Sequence, residues 1–179
     1  HHDFLVVADF GHGMMPPRLR ELAATARTFV ALNTQSNSAN LGFNPVTNYP
    51  RSDFVCIDGP ELKLASGSQY GDLHVSSEQV RRRLQASTFL VSLGPRGSAV
   101  FSSGQPPVET PALATKVVDR TGAGDALFSI TSPCVYRGFP LDLVGFLGNC
   151  VGAIAVETVC NREPVDPVLL QKFITSLLK

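Results

Sequence analysis

The sequence predicts an α/β fold in which a largely parallel sheet is covered by helices on both faces. Short apolar runs of strand length alternate along the chain with segments of helix length, a pattern typical of strands joined by helical crossovers. The 179 residues suffice for one ordinary domain with a real core. No linker-like stretch divides the chain, so we expect residues 1–179 to belong to a single domain.

The first third of the chain predicts three strands, at residues 4–8, 29–32 and 53–57. Residues 4–8 form a continuous apolar run, which is typical of a strand buried on both faces. Between the first two strands, Pro16 and Pro17 open a helix that runs to about Arg27. Residues 33–48 are polar and rich in asparagine, as in a long loop that is functional or disordered. The predicted buried face of the helix carries Leu19, Leu22, Ala23 and Ala26.

The middle of the chain predicts a turn at residues 58–61, a short helix near residues 62–65 and a longer helix to about Ala86. Ser76 or Ser77 is the expected N-cap of the longer helix. A strand at residues 88–93 is joined to one at residues 99–102 by a tight turn, as in a hairpin. Residues 105–111 predict a proline-rich surface loop, and residues 115–118 predict a short strand.

The last third predicts three helices, at residues 123–136, 140–158 and 167–178. Pro133 lies inside the first of them and is expected to kink or interrupt it, whereas Gly138 is expected to end it. The apolar run at residues 141–156 is too short for a membrane span and carries Asp142, so it indicates a buried helix.

Charge and cysteine content narrow the functional classes. Fifteen basic residues balance fifteen acidic ones, which gives no electrostatic case for binding nucleic acid or a membrane surface. The four cysteines form no C-x-x-C pair, so no zinc site is predicted. We expect reduced thiols and a cytoplasmic location.

Residues 118–126 read Val-Asp-Arg-Thr-Gly-Ala-Gly-Asp-Ala and lie where a predicted strand meets a predicted helix. A helix N-terminus presents unpaired N–H groups and a partial positive charge, and glycines let a phosphate approach the backbone closely. Asp125 falls in the first turn, where a carboxylate suits a base that deprotonates an attacking hydroxyl. The combination indicates phosphoryl transfer. The alternative is a packing turn with an acidic residue that complements the helix dipole.

The stretch from Asp119 to Asp125 resembles the D-x-T-G-A-G-D signature of the ribokinase-like (PfkB) carbohydrate kinases. The resemblance implies a ribokinase-like three-layer sandwich with a parallel-rich sheet flanked by helices. It implies Asp125 as the catalytic base and the backbone of Gly122, Ala123 and Gly124 as an anion hole for the γ-phosphate. Thr121 would lie beside the triphosphate. ATP and Mg²⁺ are the implied cofactors, and a monovalent cation such as K⁺ is a further candidate.

Other stretches resemble elements of the nucleotide and metal sites in that family. Residues 92–97 resemble its T-L-G-x-x-G turn, which places Gly94 and Gly97 along the ATP ribose and phosphates, although a plain β-turn remains open. Residues 58–61 resemble its N-x-x-E element, so Glu61 would hold magnesium through water, with Asp58 in place of asparagine. Alternatively, Glu61 is only a first-turn acid. Asn149 is a candidate neighbour of adenine or ribose, or merely a polar residue of its helix.

Two further stretches resemble the heptose-phosphate kinase branch, the kinase half of ADP-heptose synthase. Residues 9–13 resemble its D-Y-x-K-G turn, with His12 in place of lysine, which makes Asp9 and His12 candidate substrate residues. A strand-ending Asx turn is the alternative for Asp9. Asn33 begins a stretch where this branch has D-P-K, and it is a candidate contact of the sugar acceptor or the ATP phosphates. This departure leaves the acceptor sugar open.

The resemblance covers the C-terminal half of the family fold, without the lid and most of the sugar-binding residues. It implies a homodimer for the full-length protein, whose partners are a nucleotide and a sugar or sugar phosphate, and weak or no activity for the half alone. The alternative is a non-catalytic nucleotide-binding module for regulation or assembly in a bifunctional sugar-activating protein. A dinucleotide-binding oxidoreductase is disfavoured because the first strand is not followed by G-x-G-x-x-G.

Overall fold

The computed structural model describes residues 2–159 and 162–179, and within them the strands form a six-stranded sheet in the order β1-β2-β3-β4-β5-β6. Strands β1 to β4 are parallel, and β5 and β6 are antiparallel to their neighbours. The predicted α/β architecture is therefore confirmed. The strands are β1 (Phe4–Asp9), β2 (Phe29–Thr34), β3 (Phe54–Asp58), β4 (Thr88–Ser92), β5 (Ser98–Ser102) and β6 (Val108–Thr110).

Helices cover both faces of the sheet. Helices α1, α2 and α3 contribute to one apolar core, whereas α4 and α5 contribute to another. Strand β3 supplies both cores, because Phe54 and Cys56 face one layer while Val55 and Ile57 face the other. The helices are α1 (Pro17–Ala24), α2 (Gly59–Ser66), α3 (Leu73–Arg83), α4 (Ala123–Tyr136), α5 (Leu141–Ala155) and α6 (Pro167–Leu177).

Strand β1 is an edge strand, so the expectation that it is buried on both faces is wrong. Val7 and Asp9 are buried on the α1 face, but Val6 on the opposite face is 48% exposed. On that face Phe4 stacks on Tyr136 of α4, and the cover does not extend to Val6. An apolar run of this length therefore shows that a strand forms, without showing that both faces are covered.

The predicted buried face of helix α1 is only partly correct, because Ala23 and Ala26 contact the core but the two leucines do not. Ala23 and Ala24 are buried, whereas Leu19 and Leu22 are 41% and 64% exposed. The helix also ends at Ala24, short of the predicted Arg27. Alanines, and not leucines, are buried in this helix, so the positions of the leucines did not predict which side of α1 contacts the sheet.

Helix α3 begins earlier than predicted. Its N-cap is Asp72, whose side chain accepts a hydrogen bond from Val75 N at 3.0 Å. Ser76 and Ser77, the predicted caps, are buried inside the helix. Asp is as good an N-cap residue as Ser, and the tertiary contacts that bury the serines decide between them.

Two predictions between β5 and α4 are also wrong. Strand β6 lies within the predicted surface loop, because Val108 pairs with Val100 of β5. Residues 115–118 do not form a strand. The amides of Val118 and Asp119 instead donate to the carbonyl of Val156, at 2.8 and 3.0 Å, just after α5 ends.

The helical last third follows the prediction closely. Helix α4 runs through Pro133 to Tyr136, so the expectation that this proline interrupts the helix is wrong. Gly138, beyond the helix, has a φ of 71°. The N–H of Gly138 donates to the carbonyl of Val135 at 2.9 Å, so this glycine ends the helix as predicted. Among the described residues no helix is long and apolar enough to cross a membrane. Cys160 lies outside the described residues, and the other three cysteines are free and buried.

Candidate active site

The carboxyl ends of the parallel strands bring the candidate residues to one edge of the sheet. Asp9 ends β1, Gln35 follows β2, and Asp58 ends β3 and leads into α2. The first turn of α4, which carries Asp125, reaches the same edge through a hydrogen bond to Gln35. Open α/β sheets bind ligands at this edge. The site therefore lies between the α2 layer and the α4 layer.

The turn before α4 has the backbone shape that the sequence predicts. Gly122 is the N-cap residue with a φ of 80°, and no side chain caps the helix. Asp119 Oδ1 shapes the turn by accepting from Thr121 N at 3.0 Å and from Thr121 Oγ1 at 2.8 Å. A Cβ added at Gly124 would meet no atom within 4 Å, so the backbone there is open to a ligand. The Ala123 amide already donates to the carbonyl of Arg120 at 3.2 Å.

Asp125 is half-buried at the start of α4, and its Oδ1 accepts a hydrogen bond from Gln35 Nε2 at 2.7 Å. Burial raises the pKa of the Asp125 carboxyl, while the hydrogen bond from Gln35 acts to lower it. A raised pKa brings a carboxylate closer to the range of a useful proton acceptor.

Glu61 and Asp58 form a capping box at the start of α2. Glu61 N donates to Asp58 Oδ1 at 2.7 Å, and Asp58 N donates to Glu61 Oε2 at 2.9 Å. The other oxygen, Glu61 Oε1, accepts from Ser36 N at 3.0 Å. Glu61 is therefore a first-turn acid of α2, as the alternative predicts. The metal-binding interpretation of Glu61 stays a prediction.

Glu61 lies close enough to Asp58 and Asp125 for their charges to affect its pKa. Burial, together with the nearby Asp58 charge and a smaller effect of Asp125, raises the pKa of Glu61 to about 7, although N–H bonds from Asp58 and Ser36 oppose the shift. Burial also raises the pKa of Asp58. In the described part of the chain, no three acidic, histidine or cysteine side chains lie close enough to hold a metal alone. This donor set fits Mg²⁺, which uses one or two carboxylates and takes its other ligands from water and phosphate.

Asp9 forms the strand-ending Asx turn. Its Oδ1 accepts from Gly11 N at 2.9 Å, and its Oδ2 accepts from the Tyr49 hydroxyl at 2.9 Å. Arg20 lies 3.7 Å from Oδ2, and the Asp9 side chain is buried. His12 is exposed and its ring stacks on Phe10, with centroids 6.5 Å apart. Of the two candidates in this turn, only His12 is open to a ligand.

Asn33 is buried in the sheet. Its Nδ2 donates to the carbonyl of Cys56 at 2.8 Å and so links β2 to β3. Its buried Oδ1 has no hydrogen-bond partner among the described residues. Its role as a contact of acceptor or nucleotide stays a prediction.

Gly97 and Asn149 both pack against the end of β6. Gly97 has a φ of 94°, and a Cβ added there would lie 2.0 Å from the Thr110 carbonyl oxygen. Asn149 Nδ2 donates to the carbonyls of Thr110 and Pro111, each at 3.0 Å. Gly94, in the same hairpin turn, has open space around its Cα. The structure thus gives Gly97 and Asn149 packing roles in addition to the predicted nucleotide contacts.

Sequence reasoning missed Gln35 and Ser36, which contact Asp125 and Glu61 respectively. The available signal was their position directly after a buried strand, at the ligand-binding edge of the sheet.

Two cavities of about 470 and 430 Å³ lie elsewhere, beside α3. They share Glu78, Arg82 and Gly104 in their linings, so neither is the corner described above.

The sequence model of the pfkB family carbohydrate kinases matches residues 13–166. The chain belongs to this family. The match includes the turn before α4 and Glu61, so the family resemblance predicted from the Asp119–Asp125 stretch is confirmed.

Curated relatives of this family member include proteins named bifunctional protein HldE. The one from Photorhabdus laumondii is 24% identical over 178 residues, a match that covers 97% of this chain and 36% of that protein. The one from Koribacter versatilis is 26% identical over 177 residues and likewise covers 97% of this chain but 35% of that protein. The chain spans about a third of the length of these relatives.

Solved kinases share the fold. Phosphofructokinase-2 from Escherichia coli superposes with a TM-score of 0.78 at 16% identity, over 98% of this chain and 57% of that one. Ribokinase from Thermotoga maritima gives 0.77 at 16% identity, over 97% and 57%. The E. coli protein has also been solved in complex with potassium. The predicted ribokinase-like fold is confirmed, and the chain forms part of it.

Proposed function

We propose that the full-length protein containing this chain is an ATP-dependent carbohydrate kinase. It transfers the γ-phosphate of Mg-ATP to a hydroxyl of a sugar or sugar phosphate. The observation that carries the proposal is Asp125 in the first turn of α4, directly behind a glycine turn that no side chain caps. Uncapped amides attract an anion, and the adjacent carboxylate accepts a proton, which are the two requirements of phosphoryl transfer to an alcohol.

Asp125 is the proposed base that takes the proton of the acceptor hydroxyl. The backbone of Gly122, Ala123 and Gly124 is the proposed anion hole. The amides of the two glycines are its main proposed donors, because the Ala123 amide already donates to the carbonyl of Arg120. Preorganised N–H donors of this kind stabilise charge that develops on the transferred phosphoryl group.

Glu61 is the proposed residue on the metal side, acting through water, with Asp58 beside it. Bound Mg²⁺ would neutralise negative charge on the phosphates. It would also offset the burial and the nearby carboxylate charges that together raise the pKa of Glu61. A monovalent cation such as K⁺ remains a further candidate cofactor.

The remaining candidate residues divide into a nucleotide side and an acceptor side. Thr121, Gly94, Gly97 and Asn149 are proposed to frame the nucleotide. On the acceptor side, His12 is exposed and able to contact a ligand, whereas Asp9 acts through the turn that it holds. Asn33 is proposed to contact the sugar acceptor or the ATP phosphates from its buried position near the end of β2.

The second candidate function is a non-catalytic nucleotide-binding module in a bifunctional protein. His12 where the resembling motif has lysine, and Asp58 where it has asparagine, favour this alternative. The inward-facing side chains of Asp9 and Asn33 favour it as well. Such a module would keep the anion-binding turn and lose acceptor-dependent turnover.

The test is ADP release by the full-length protein with Mg-ATP and a panel of sugars and sugar phosphates. A rate that depends on one class of acceptor supports the kinase. ATP binding without acceptor-dependent turnover across the panel contradicts the kinase and supports the non-catalytic module. Absence of both ATP binding and turnover contradicts both functions.

A further inference from the structure

We propose that Gln35 is a positioning residue for Asp125, holding one carboxylate oxygen so that the other faces the acceptor hydroxyl. The inference rests on the proposed kinase function and adds a residue to its machinery. Gln35 Nε2 donates to Asp125 Oδ1 at 2.7 Å across a separation of 90 residues. An ionised carboxylate only accepts hydrogen bonds, so the Gln35 amide necessarily presents its NH₂ group to Asp125.

The backbone of Gln35 is fixed on both sides. Its N–H donates to the Asp9 carbonyl at 2.9 Å, and its carbonyl accepts from Asn40 Nδ2 at 3.2 Å. Asn40 is buried and also donates to the Phe10 carbonyl at 2.9 Å. The donor is therefore held before any substrate binds, as precise placement of a catalytic group requires.

Gln35 and its neighbour Ser36 together connect the two helical layers. Gln35 reaches Asp125 in α4, while Ser36 N donates to Glu61 Oε1 in α2 at 3.0 Å. Two consecutive residues thus set the base and the proposed metal-side carboxylate relative to each other. The carboxylates themselves repel, so their separation depends on the groups that hold them.

The neutral amide suits this role. A hydrogen bond from Gln35 orients Asp125 without adding a charge beside it. A carboxylate at position 35 would instead repel Asp125 across the 2.7 Å that the hydrogen bond now spans.

The experiment compares Gln35→Met, which keeps the length and removes the donor, with Gln79→Met, the same change at an exposed position of α3. Steady-state kinetics use the full-length protein with ATP and the best acceptor of the panel. We expect Gln35→Met to lower kcat by about 10- to 100-fold, with KM for ATP within about twofold of wild type. Melting temperatures accompany the kinetics, because a merely structural role would lower stability without this selective loss of kcat.

If Gln35→Met does not fold, the same kinetic experiment uses Gln35→Glu instead. It keeps the size and polarity of the side chain but places a like charge beside Asp125, so we expect a loss of kcat at least as large. A kcat within about twofold of wild type in the folded variant, while Asp125→Asn is inactive, overturns the inference alone. If Asp125→Asn retains wild-type activity, the assignment of Asp125 as the base fails, and the role of Gln35 fails with it. The proposed function fails separately, if the wild-type protein turns over ATP with no acceptor of the panel.

Discussion

Asn149 has a packing role in the structure and a proposed role beside the nucleotide. It was a candidate neighbour of adenine or ribose, and the structure shows its Nδ2 bonded to two carbonyls at the end of β6. We predict that Asn149→Ala lowers the free energy of unfolding by about 1–2 kcal/mol, because two partly buried carbonyls lose their donor. Urea unfolding measures the change, and Gln79→Ala on the exposed face of α3 is the control.

ATP affinity of the same variant separates the two roles of Asn149. A packing role alone predicts unchanged affinity in the folded protein. Unchanged stability together with weaker ATP binding would contradict the packing role and leave Asn149 as a nucleotide contact.

At the residue scale, the sequence predicts the groups that belong to a contiguous motif. Asp119 to Asp125 could be interpreted from spacing alone, because the turn, the helix start and the carboxylate are neighbours in the chain. Gln35 could not be found in this way, since its partner Asp125 lies 90 residues away. Asp9 is the intermediate case: its Asx turn is local, but Tyr49 and Arg20, which bury it, are distant.

The β4–β5 hairpin depends on Gly97. Its φ of 94° and a Cβ position 2.0 Å from the Thr110 carbonyl oxygen leave no space for a side chain. We predict that Gly97→Ala lowers the free energy of unfolding by about 3 kcal/mol or more, since both strain and a backbone clash follow. Thermal or urea unfolding measures this loss.

Gly94→Ala is the matched control within the same turn. Gly94 also has a positive φ, 59°, but its surroundings are open, so we expect a loss of about 1–2 kcal/mol from strain alone. Equal losses in the two variants would contradict the close packing of Gly97 against β6.

Helix α3 is stabilised near its end by Glu78, which accepts hydrogen bonds from Arg81 and Arg82 at 2.6 to 2.8 Å. The hydrogen bonds from Arg81, followed by Arg82, lower the pKa of Glu78 from 4.5 to about 2. A folded-state pKa below the unfolded one means that this stabilisation is present above pH 4.5 and is lost as the pH falls toward 2.

We therefore predict that wild type loses more stability on acidification than Glu78→Gln does. Urea midpoints at neutral pH and at about pH 3 measure the stability of both proteins. The stability difference between wild type and Glu78→Gln should be larger at neutral pH than at about pH 3. Glu21→Gln, at an exposed position of α1, is the control. The same difference between wild type and Glu78→Gln at both pH values would refute the ion-pair account.

At the element scale, the sequence predicts strands and helices well and their partners poorly. The N-cap of α3 is Asp72 and not Ser76 or Ser77, since tertiary packing buries the serines. Strand β6 forms because β5 offers it an edge, which composition does not reveal. Residues 115–118 have strand-like composition, but Val118 N and Asp119 N bond to Val156 at the end of α5.

The whole molecule is a sheet with helices on both faces and one incompletely covered edge. Alternation of strand-like and helix-like segments was enough to predict the α/β class, and the sequential strand order follows the chain. The exposure of Val6 was not predictable, because strand composition does not say which strand lies at the edge. The chain spans 57% of the solved phosphofructokinase-2 with a TM-score of 0.78.

The measurement that tests the central claim most directly is kcat of Asp125→Asn against wild type, in the full-length protein at saturating Mg-ATP and acceptor. Asparagine keeps the shape of the side chain and removes its ability to accept the proton. The account predicts a loss of about 100- to 10,000-fold in acceptor-dependent turnover, with ATP binding retained. A kcat equal to that of wild type would contradict the assignment of Asp125 as the base.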